Sequence, residues 1–561
     1  MKDRLFDKWT LPVLLFFIIV TSLISFRLIQ AAGTGLPASS EGLGPQDAVL
    51  NLWILFWDIH KFRTGLGGFF DANIFFPYEN TLAYSEHLIG GAVLALPLSF
   101  FIKNPVLVYN VLLLSTFVLS GFGMYLLTLH LTGDRPSAVI AGIVFAYFPY
   151  HFTHLPRIQL EMMQWIPFTL LFLHRFAEKM DYRNIALSAV FYSLTFLSSV
   201  YYGVFLTFYV VFFFIWHILR KRFFTIPVFS RLCLFLLISA VIIIPVHIPY
   251  IKAERSGLAR AVWENVVYSA DILSYVSVPR SNWLWSRVLP IRPNSESAAA
   301  FFGLTAFALS LTGILLSLKR RSGDEKKHIR FYLALTAISI ILSLGPLIHF
   351  NGREVAKGPY LLLYKYFPGF DGLRAPNRIS VFAGLGMAVL AGFGVKFIKE
   401  RIANIHLKKA VAALFAVLII LEFLPSGLKA MQVPGYDNMP PVYRWLSESA
   451  EDWPVFEYPM SEPHTDEAWY MYYSIFHRKR LANGYSGFTP PLYQQMTDEM
   501  KAFPSEDSIS FLKALGVRYI IIHTEKLARP LKDISSIPGT VLLKKFDGDA
   551  VLEIKKDKDA E

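Results

Sequence analysis

The sequence predicts an α-helical polytopic membrane protein of about eleven spans, followed by a small C-terminal α/β domain. Three observations predict it. Apolar runs long enough to cross a bilayer, which takes about 20 residues, recur from about residue 10 to residue 427. Only 17% of the 561 residues are charged and 54% are hydrophobic, with mean hydropathy +0.43, whereas a soluble domain carries about 25% charge. From about residue 429 the apolar runs shorten to strand length (PVFEYP, RYIIIH, TVLLKKF), with helical stretches between them (VYRWLSES, EAWYMYYSIFH, SISFLKAL). Strands alternating with helices read as α/β, and about 130 residues suffice for an independent core. The expected division is a transmembrane domain over 1–428, with its first outer loop at 31–103, and a soluble extracytoplasmic domain over 429–561.

The first span covers about 10–30 and follows Lys2, Arg4 and Lys8. Those charges place the N-terminus in the cytoplasm and the first loop outside. The apolar core runs to about Ile29 with no small-residue cleavage site before Ala31-Ala32, so it reads as a retained span. In the first loop, Val49, Leu52, Trp53, Phe56 and Ile59 recur at helical spacing. They predict a helix over about 46–63, and Trp53 and Trp57 place it along the membrane surface.

Segment 87–102 is apolar but short, and positive charge decides its course. If it only dips into the outer leaflet, the basic loops at Arg135, Arg175–Arg183, Arg220–Arg231, Lys319–Arg330 and Lys396–Lys409 all fall inside. If it crosses, they all fall outside, against the positive-inside rule. It therefore reads as a juxtamembrane or re-entrant helix. Further spans follow at about 105–131, 137–150, 164–178, 184–199, 201–219, 230–250, 301–318, 331–348, 376–396 and 408–427. The C-terminus lies outside, and KKDKDAE reads as a frayed end.

Composition also excludes functions. Lys- and Arg-rich inner loops explain the net charge of +12 without nucleic acid. One cysteine, Cys233, allows neither a disulfide framework nor a cysteine metal site. Walker A, GxSxG, HExxH and GxGxxG patterns are missing from the sequence. Charges within the spans are few, whereas ion-coupled carriers place some at mid-membrane. Polar chemistry gathers on the outer face instead.

Four outer stretches carry candidate chemistry. Asp47 opens the 46–63 helix, where the helix dipole favours an ionised carboxylate. It reads as an N-cap, as a general base toward a hydroxyl, or as both. Glu86-His87 lies where the chain re-enters the apolar phase, either capping the next helix or touching a sugar, metal or phosphate. The loop YHFTHLPRIQLEMMQW offers His151, His154, Arg157 and Glu161. His151 and His154 are solvated loop residues or half of a metal site that Glu86, His87 or Glu161 completes, and Arg157 suits an anion. In FPGFDGLRAPNRISVF, Arg374 and Arg378 run against the charge trend at the start of a span. Guanidinium binds phosphate in bidentate fashion, and Asn377 sits where free helix N–H groups add to an anion site. The plainer reading is headgroup anchoring. Tyr201-Tyr202 reads as an interfacial aromatic belt.

At these residues the chain resembles the GT-C superfamily of membrane glycosyltransferases, which includes the protein O-mannosyltransferases, the aminoarabinose transferases of lipid A and many bacterial relatives. The resemblance rests on whole-chain architecture and on local motifs. GPQDAVLNLW places Asp47 where the superfamily has an essential acid before a juxtamembrane helix, and SEHLIGG offers Glu86-His87 as its acid-containing pair before a membrane-dipping segment. The stretches LTGDRPSAVIAGIVFAYFPYHFTHLPRIQLEMMQWIPF and LRAPNRISVFAGLGMAVLAGFGV are similar to a bacterial branch. The second outer loop departs from the pattern: it has no Asp, and Glu161 is the one stand-in.

The resemblance implies an inverting transfer of a sugar from a polyprenyl-phosphate donor to an extracytoplasmic glycan, lipid or protein acceptor. Asp47 is then the base, assisted by Glu86. His87, Arg157, Arg374, Asn377 and Arg378 bind substrate or phosphate, and a divalent metal at His151, His154 and Glu161 stays open. It also implies a multi-pass protein of the inner or plasma membrane. Two other readings are a lipid or polysaccharide transporter or assembly factor without bond chemistry, and a receptor whose tail binds carbohydrate.

Overall fold

A computed structural model describes residues 7–38, 46–221, 226–255, 261–291, 300–320, 323–435, 438–461, 465–527 and 534–555. Lys2 and Arg4, Pro45 and the tail beyond residue 555 lie outside the described residues. The chain divides into two compact, interleaved units. The first comprises Met1–Gly44, Asn110–His247 and Ala259–Met431; the second comprises Pro45–Tyr109, Ile248–Leu258 and Gln432–Glu561.

The first unit is a helical bundle. Helices stand at Thr10–Ile24, Pro105–Thr132, Arg135–Tyr147, Trp165–Lys179, Tyr182–Ser198, Val200–Lys221, Ile226–Arg255, Leu304–Leu318, Asp324–Ser343, Ser380–Glu400 and Ile405–Phe423. Among the described residues, four helices are long and apolar enough to cross a membrane: Pro105–Thr132, Val200–Leu219, Val228–Glu254 and Pro376–Glu400. Two of these differ sharply. The best apolar window of Pro376–Glu400 is 89% buried in protein, and that of Val228–Glu254 only 11%. The first is a central helix and the second leaves most of its side chains exposed.

Small residues make that central position possible. A Cβ on Gly394 would stand 2.0 Å from the Leu309 carbonyl oxygen, and one on Gly313 would stand 2.6 Å from that of Leu390. Helices 304–318 and 380–400 therefore touch backbone to backbone, a contact that small residues permit in membranes. Helix starts are capped where acids precede them: Asp134 accepts from Ser137 N–H at 3.0 Å, and Asp181 from Asn184 N–H at 2.7 Å.

The second unit joins the first-loop segments to a four-stranded sheet. Strand order is Val455–Tyr458, Tyr519–His523, Asp549–Ile554, Thr540–Lys545; the first pair is parallel and the others antiparallel. Helices Pro441–Glu448, Asp466–His477, Pro491–Met500 and Glu506–Ala514 complete it. At the carboxyl end of the parallel strands runs a buried chain of polar groups. Asp549 Oδ1 lies 2.7 Å from His523 Nδ1, and His523 Nε2 lies 3.0 Å from Glu457 Oε2. The Tyr443 hydroxyl donates to the same Glu457 oxygen at 2.5 Å. The two carboxylates outweigh the cost of burial and lift the His523 imidazole to about 9.

The first-loop helix spans Gln46–Thr64. Its tryptophans, expected at the membrane interface, face protein instead. Trp53 is 2% exposed and donates its indole N–H to Ser474 Oγ at 3.1 Å. The helix packs on Asp466–His477, so its apolar stripe is covered by protein. Next to it, residues 73–76 pair with 479–483: Phe75 N–H donates to Asn483 O, Phe76 N–H to Leu481 O, and Leu481 N–H to Asn73 O, at 2.9–3.1 Å. Segment 87–102 is the helix Ile89–Phe101, with Pro97 inside it.

Candidate functional site

In the first unit the chemistry gathers at the start of the central helix. Residues Pro376–Ile379 form a 3-10 turn that runs directly into Ser380–Glu400. Proline suits this first position because its missing N–H would have had no helical partner. Asn377 is fully buried and Arg378 is 4% exposed. The Arg378 guanidinium lies over the Tyr201 ring, 4.3 Å from its centroid. Half-buried Arg374 lies 5.4 Å from the centroid of Tyr268, and its N–H donates to the Tyr201 hydroxyl at 3.1 Å. Asn377 N–H donates to Tyr268 O at 3.3 Å. Two tyrosines thus orient two arginines by cation–π contact.

The second outer loop closes on the same region. The Tyr202 hydroxyl donates to Leu160 O at 2.7 Å and lies 3.0 Å from the Tyr150 hydroxyl. Both Glu161 and Arg378 act electrostatically on Tyr202. Tyr201 and Tyr202 are therefore parts of this centre and not a lipid-facing belt; Tyr202 is fully buried. Arg157 is half-buried at the edge of the loop, its N–H donating to His154 O.

His151 and Glu161 have turned to each other. Nδ1 of His151 lies 2.5 Å from Glu161 Oε2, both side chains are fully buried, and His151 Nε2 lies 3.1 Å from Phe145 O. A carbonyl oxygen only accepts, so His151 Nε2 donates to Phe145 O and Nδ1 faces the Glu161 carboxyl. Burial pushes the Glu161 carboxyl up, and His151 partly offsets this. The His154 ring packs on Tyr150 at 4.4 Å. With both His151 nitrogens engaged, His151, His154 and Glu161 do not make a ligand set. Among the described residues no group of three His, Cys, Asp or Glu is placed to hold a metal ion.

In the second unit Asp47 lies half-buried in the first turn of the 46–64 helix, its carbonyl accepting from Asn51 Nδ2 at 2.7 Å. Glu86 and His87 sit in a turn held from two sides. The Tyr250 hydroxyl accepts from His87 N–H at 2.9 Å and donates to Ser85 O at 3.0 Å. Asp58 Oδ2 accepts from Leu88 N–H at 2.9 Å. Glu86 is half-buried, and the His87 ring stands edge-on to Phe70 and Tyr250.

The carboxylate that meets this turn is thus Asp58, not Asp47. The two are eleven residues apart on one helix, about 16 Å at 1.5 Å per residue. Asp58 is fully buried, its Oδ1 has no hydrogen-bond partner among the described residues, and burial raises its carboxyl well above the usual range. Its only sequence signal is a charge among Trp57, Ile59 and other buried positions of the stripe.

The family described as Domain of unknown function (DUF6311) matches residues 69–420. No curated protein matches the chain. Among solved structures, the oligosaccharyltransferase of Archaeoglobus fulgidus in its apo form is similar at 14% identity and TM-score 0.51, over 92% of this chain and 70% of that one. ArnT from Cupriavidus metallidurans, bound to undecaprenyl phosphate, aligns at 10% identity and TM-score 0.48, over 96% and 97% of the two chains.

Proposed function

The chain belongs to the family of Domain of unknown function DUF6311 and has the GT-C fold, and from that premise we propose that it is an integral-membrane glycosyltransferase using a polyprenyl-phosphate sugar. The observation that carries the reading is Arg378. Its guanidinium is 4% exposed, at the start of the most buried of the candidate spans and four residues from Arg374, and its planar fork matches phosphate oxygens. The first backbone N–H groups of a helix add to such a site.

In the proposed reaction an acceptor hydroxyl attacks the anomeric carbon of the donor in line. Asp47, in the first turn of its helix, takes the hydroxyl proton. The bond between the anomeric carbon and the phosphate oxygen breaks, its electron pair leaves with polyprenyl phosphate, and the anomeric centre inverts. Arg374 and Arg378 balance the charge on the leaving phosphate, with Asn377 and Arg157 as further contacts. Glu86 and His87 line the acceptor or sugar. No step is assigned to a metal, because the buried His151–Glu161 pair does not fit one. In this reading the basic loops face inward, with the N-terminus in the cytoplasm and residues 429–561 outside.

The test is release of polyprenyl phosphate by the purified full chain in nanodiscs, using a panel of polyprenyl-phosphate sugars. Arg378→Ala is expected to raise the donor KM at least tenfold in folded protein. Unchanged donor kinetics in Arg378→Ala would remove the phosphate role.

A further inference from the structure

A second basic centre lies at the other end of the 46–64 helix from Asp47. His60, Lys61 and Arg63 occupy its last turns, and Arg478 ends helix Asp466–His477. Arg478 is half-buried and within electrostatic reach of Arg63 and His60. Burial, then Arg63, pulls its guanidinium down to about 10. Burial, then Arg478, Lys61 and Arg63, holds the His60 imidazole at about 4.

Three of the four groups have modest local partners or none. Lys61 Nζ donates to Gly67 O at 2.9 Å and lies over the Trp57 ring. Arg63 donates to Ser99 Oγ at 2.7 Å and to Ser99 O, and its guanidinium lies 4.7 Å from the centroid of Phe100. The Arg478 side chain makes no hydrogen bond or ion pair among the described residues, and no carboxylate is among the charges acting on Arg478 or His60.

Two costs are left uncompensated. A partly desolvated guanidinium without an anion is unfavourable, and four basic groups together repel. Arg478 also sits at φ 60°, the left-handed helix-ending position where glycine is the unstrained residue. An anion accepting from Arg478 and Arg63 removes both electrostatic costs.

The surroundings say which kind of anion. Leu66, Phe100 and Phe101 are 64%, 65% and 88% exposed, so apolar surface adjoins the cations as at a membrane–water boundary. The planar fork of guanidinium matches phosphate oxygens. We propose that Arg478 and Arg63, flanked by Lys61 and His60, form a phosphate-binding site at the membrane surface, additional to Arg374 and Arg378. Its ligand is a phosphate ester on an anionic lipid headgroup, or free phosphate.

Thermal midpoints of the full chain in detergent test this, titrated with short-chain phosphatidylglycerol, zwitterionic short-chain phosphatidylcholine or inorganic phosphate. Phosphatidylglycerol raises the wild-type midpoint by several degrees and phosphatidylcholine does not. Arg478→Gln weakens the apparent affinity about tenfold, the loss of one bidentate contact. Arg478→Gly relieves the backbone strain, so its ligand-free midpoint equals or exceeds that of the wild type, yet it loses the response too. That pairing separates ligand loss from misfolding. A response to inorganic phosphate as large as that to phosphatidylglycerol assigns the phosphate alone; a response to the lipid only assigns a headgroup. Equal responses in the wild type and both Arg478 variants, or none in the wild type, overturn the proposal.

Discussion

Two helices in this chain begin at a candidate chemical group, and they are held by opposite means. Helix 380–400, reached through Arg378, is packed by contact without side chains: Gly394 meets the Leu309 carbonyl. Helix 46–64, which starts beside Asp47, is packed by large side chains: Trp53 is buried and hydrogen-bonded to Ser474. On the proposed membrane reading, the difference follows from the solvent each unit answers to. Between membrane helices there is little hydrophobic driving force, so close backbone approach carries the association. In the second unit, burying aromatic surface away from water is the larger contribution.

Breaking each mode should give effects of different size. Trp53→Ala removes a buried indole and its hydrogen bond, which costs about 3–5 kcal/mol. Limited proteolysis should then cut within 46–64 and 466–477 while helix 380–400 stays protected. The buried polar chain ranks next. His523 is raised above its unfolded value of 6.5 to about 9, so its contribution is fully present below pH 6.5 and is lost as pH rises through 9. Thermal midpoints of the second unit should fall across that window, and His523→Gln should flatten the dependence.

Smaller effects sharpen the contrast. Gly394→Ala places a methyl against the Leu309 carbonyl and forces the helices apart, costing about 1–3 kcal/mol by overpacking. Unfolding of the first unit in denaturant reads it. Asp58→Asn should act with the opposite sign. Burial raises the Asp58 carboxyl in the folded chain, so folding disfavours its ionisation and the penalty grows as pH rises above 3.8. The amide cannot ionise and still accepts from Leu88 N–H. The variant should therefore melt above the wild type at pH 7 and match it near pH 3.

Much of this was legible in the sequence, and the gaps have physical causes. Helices stand at each long apolar run, and among the described residues four of them are long and apolar enough to cross a membrane, where a helix satisfies its own backbone. Strands at PVFEYP, RYIIIH and TVLLKKF followed from short β-branched and aromatic runs. Strand 549–554 was missed although Asp547-Gly548 marks the hairpin turn. The partner of the 46–64 helix was not legible because an apolar stripe shows that a face is covered but not what covers it. Tyr202, Asp58 and Arg478 escaped because each takes its meaning from residues far away in sequence. His151 and Glu161 suggested a metal by residue type, and spacing could not reveal that they bond to each other.

The central claim is that Asp47 takes a proton in sugar transfer, and one measurement tests it most directly. The full chain in nanodiscs is given a polyprenyl-phosphate sugar that the wild type turns over, and polyprenyl phosphate release is compared with that of Asp47→Asn. A substitution that preserves shape but cannot accept the proton should slow release at least a hundredfold, in the range lost with a general base, at an unchanged thermal midpoint. Release at the wild-type rate from folded Asp47→Asn would contradict the account and leave Asp47 a helix cap.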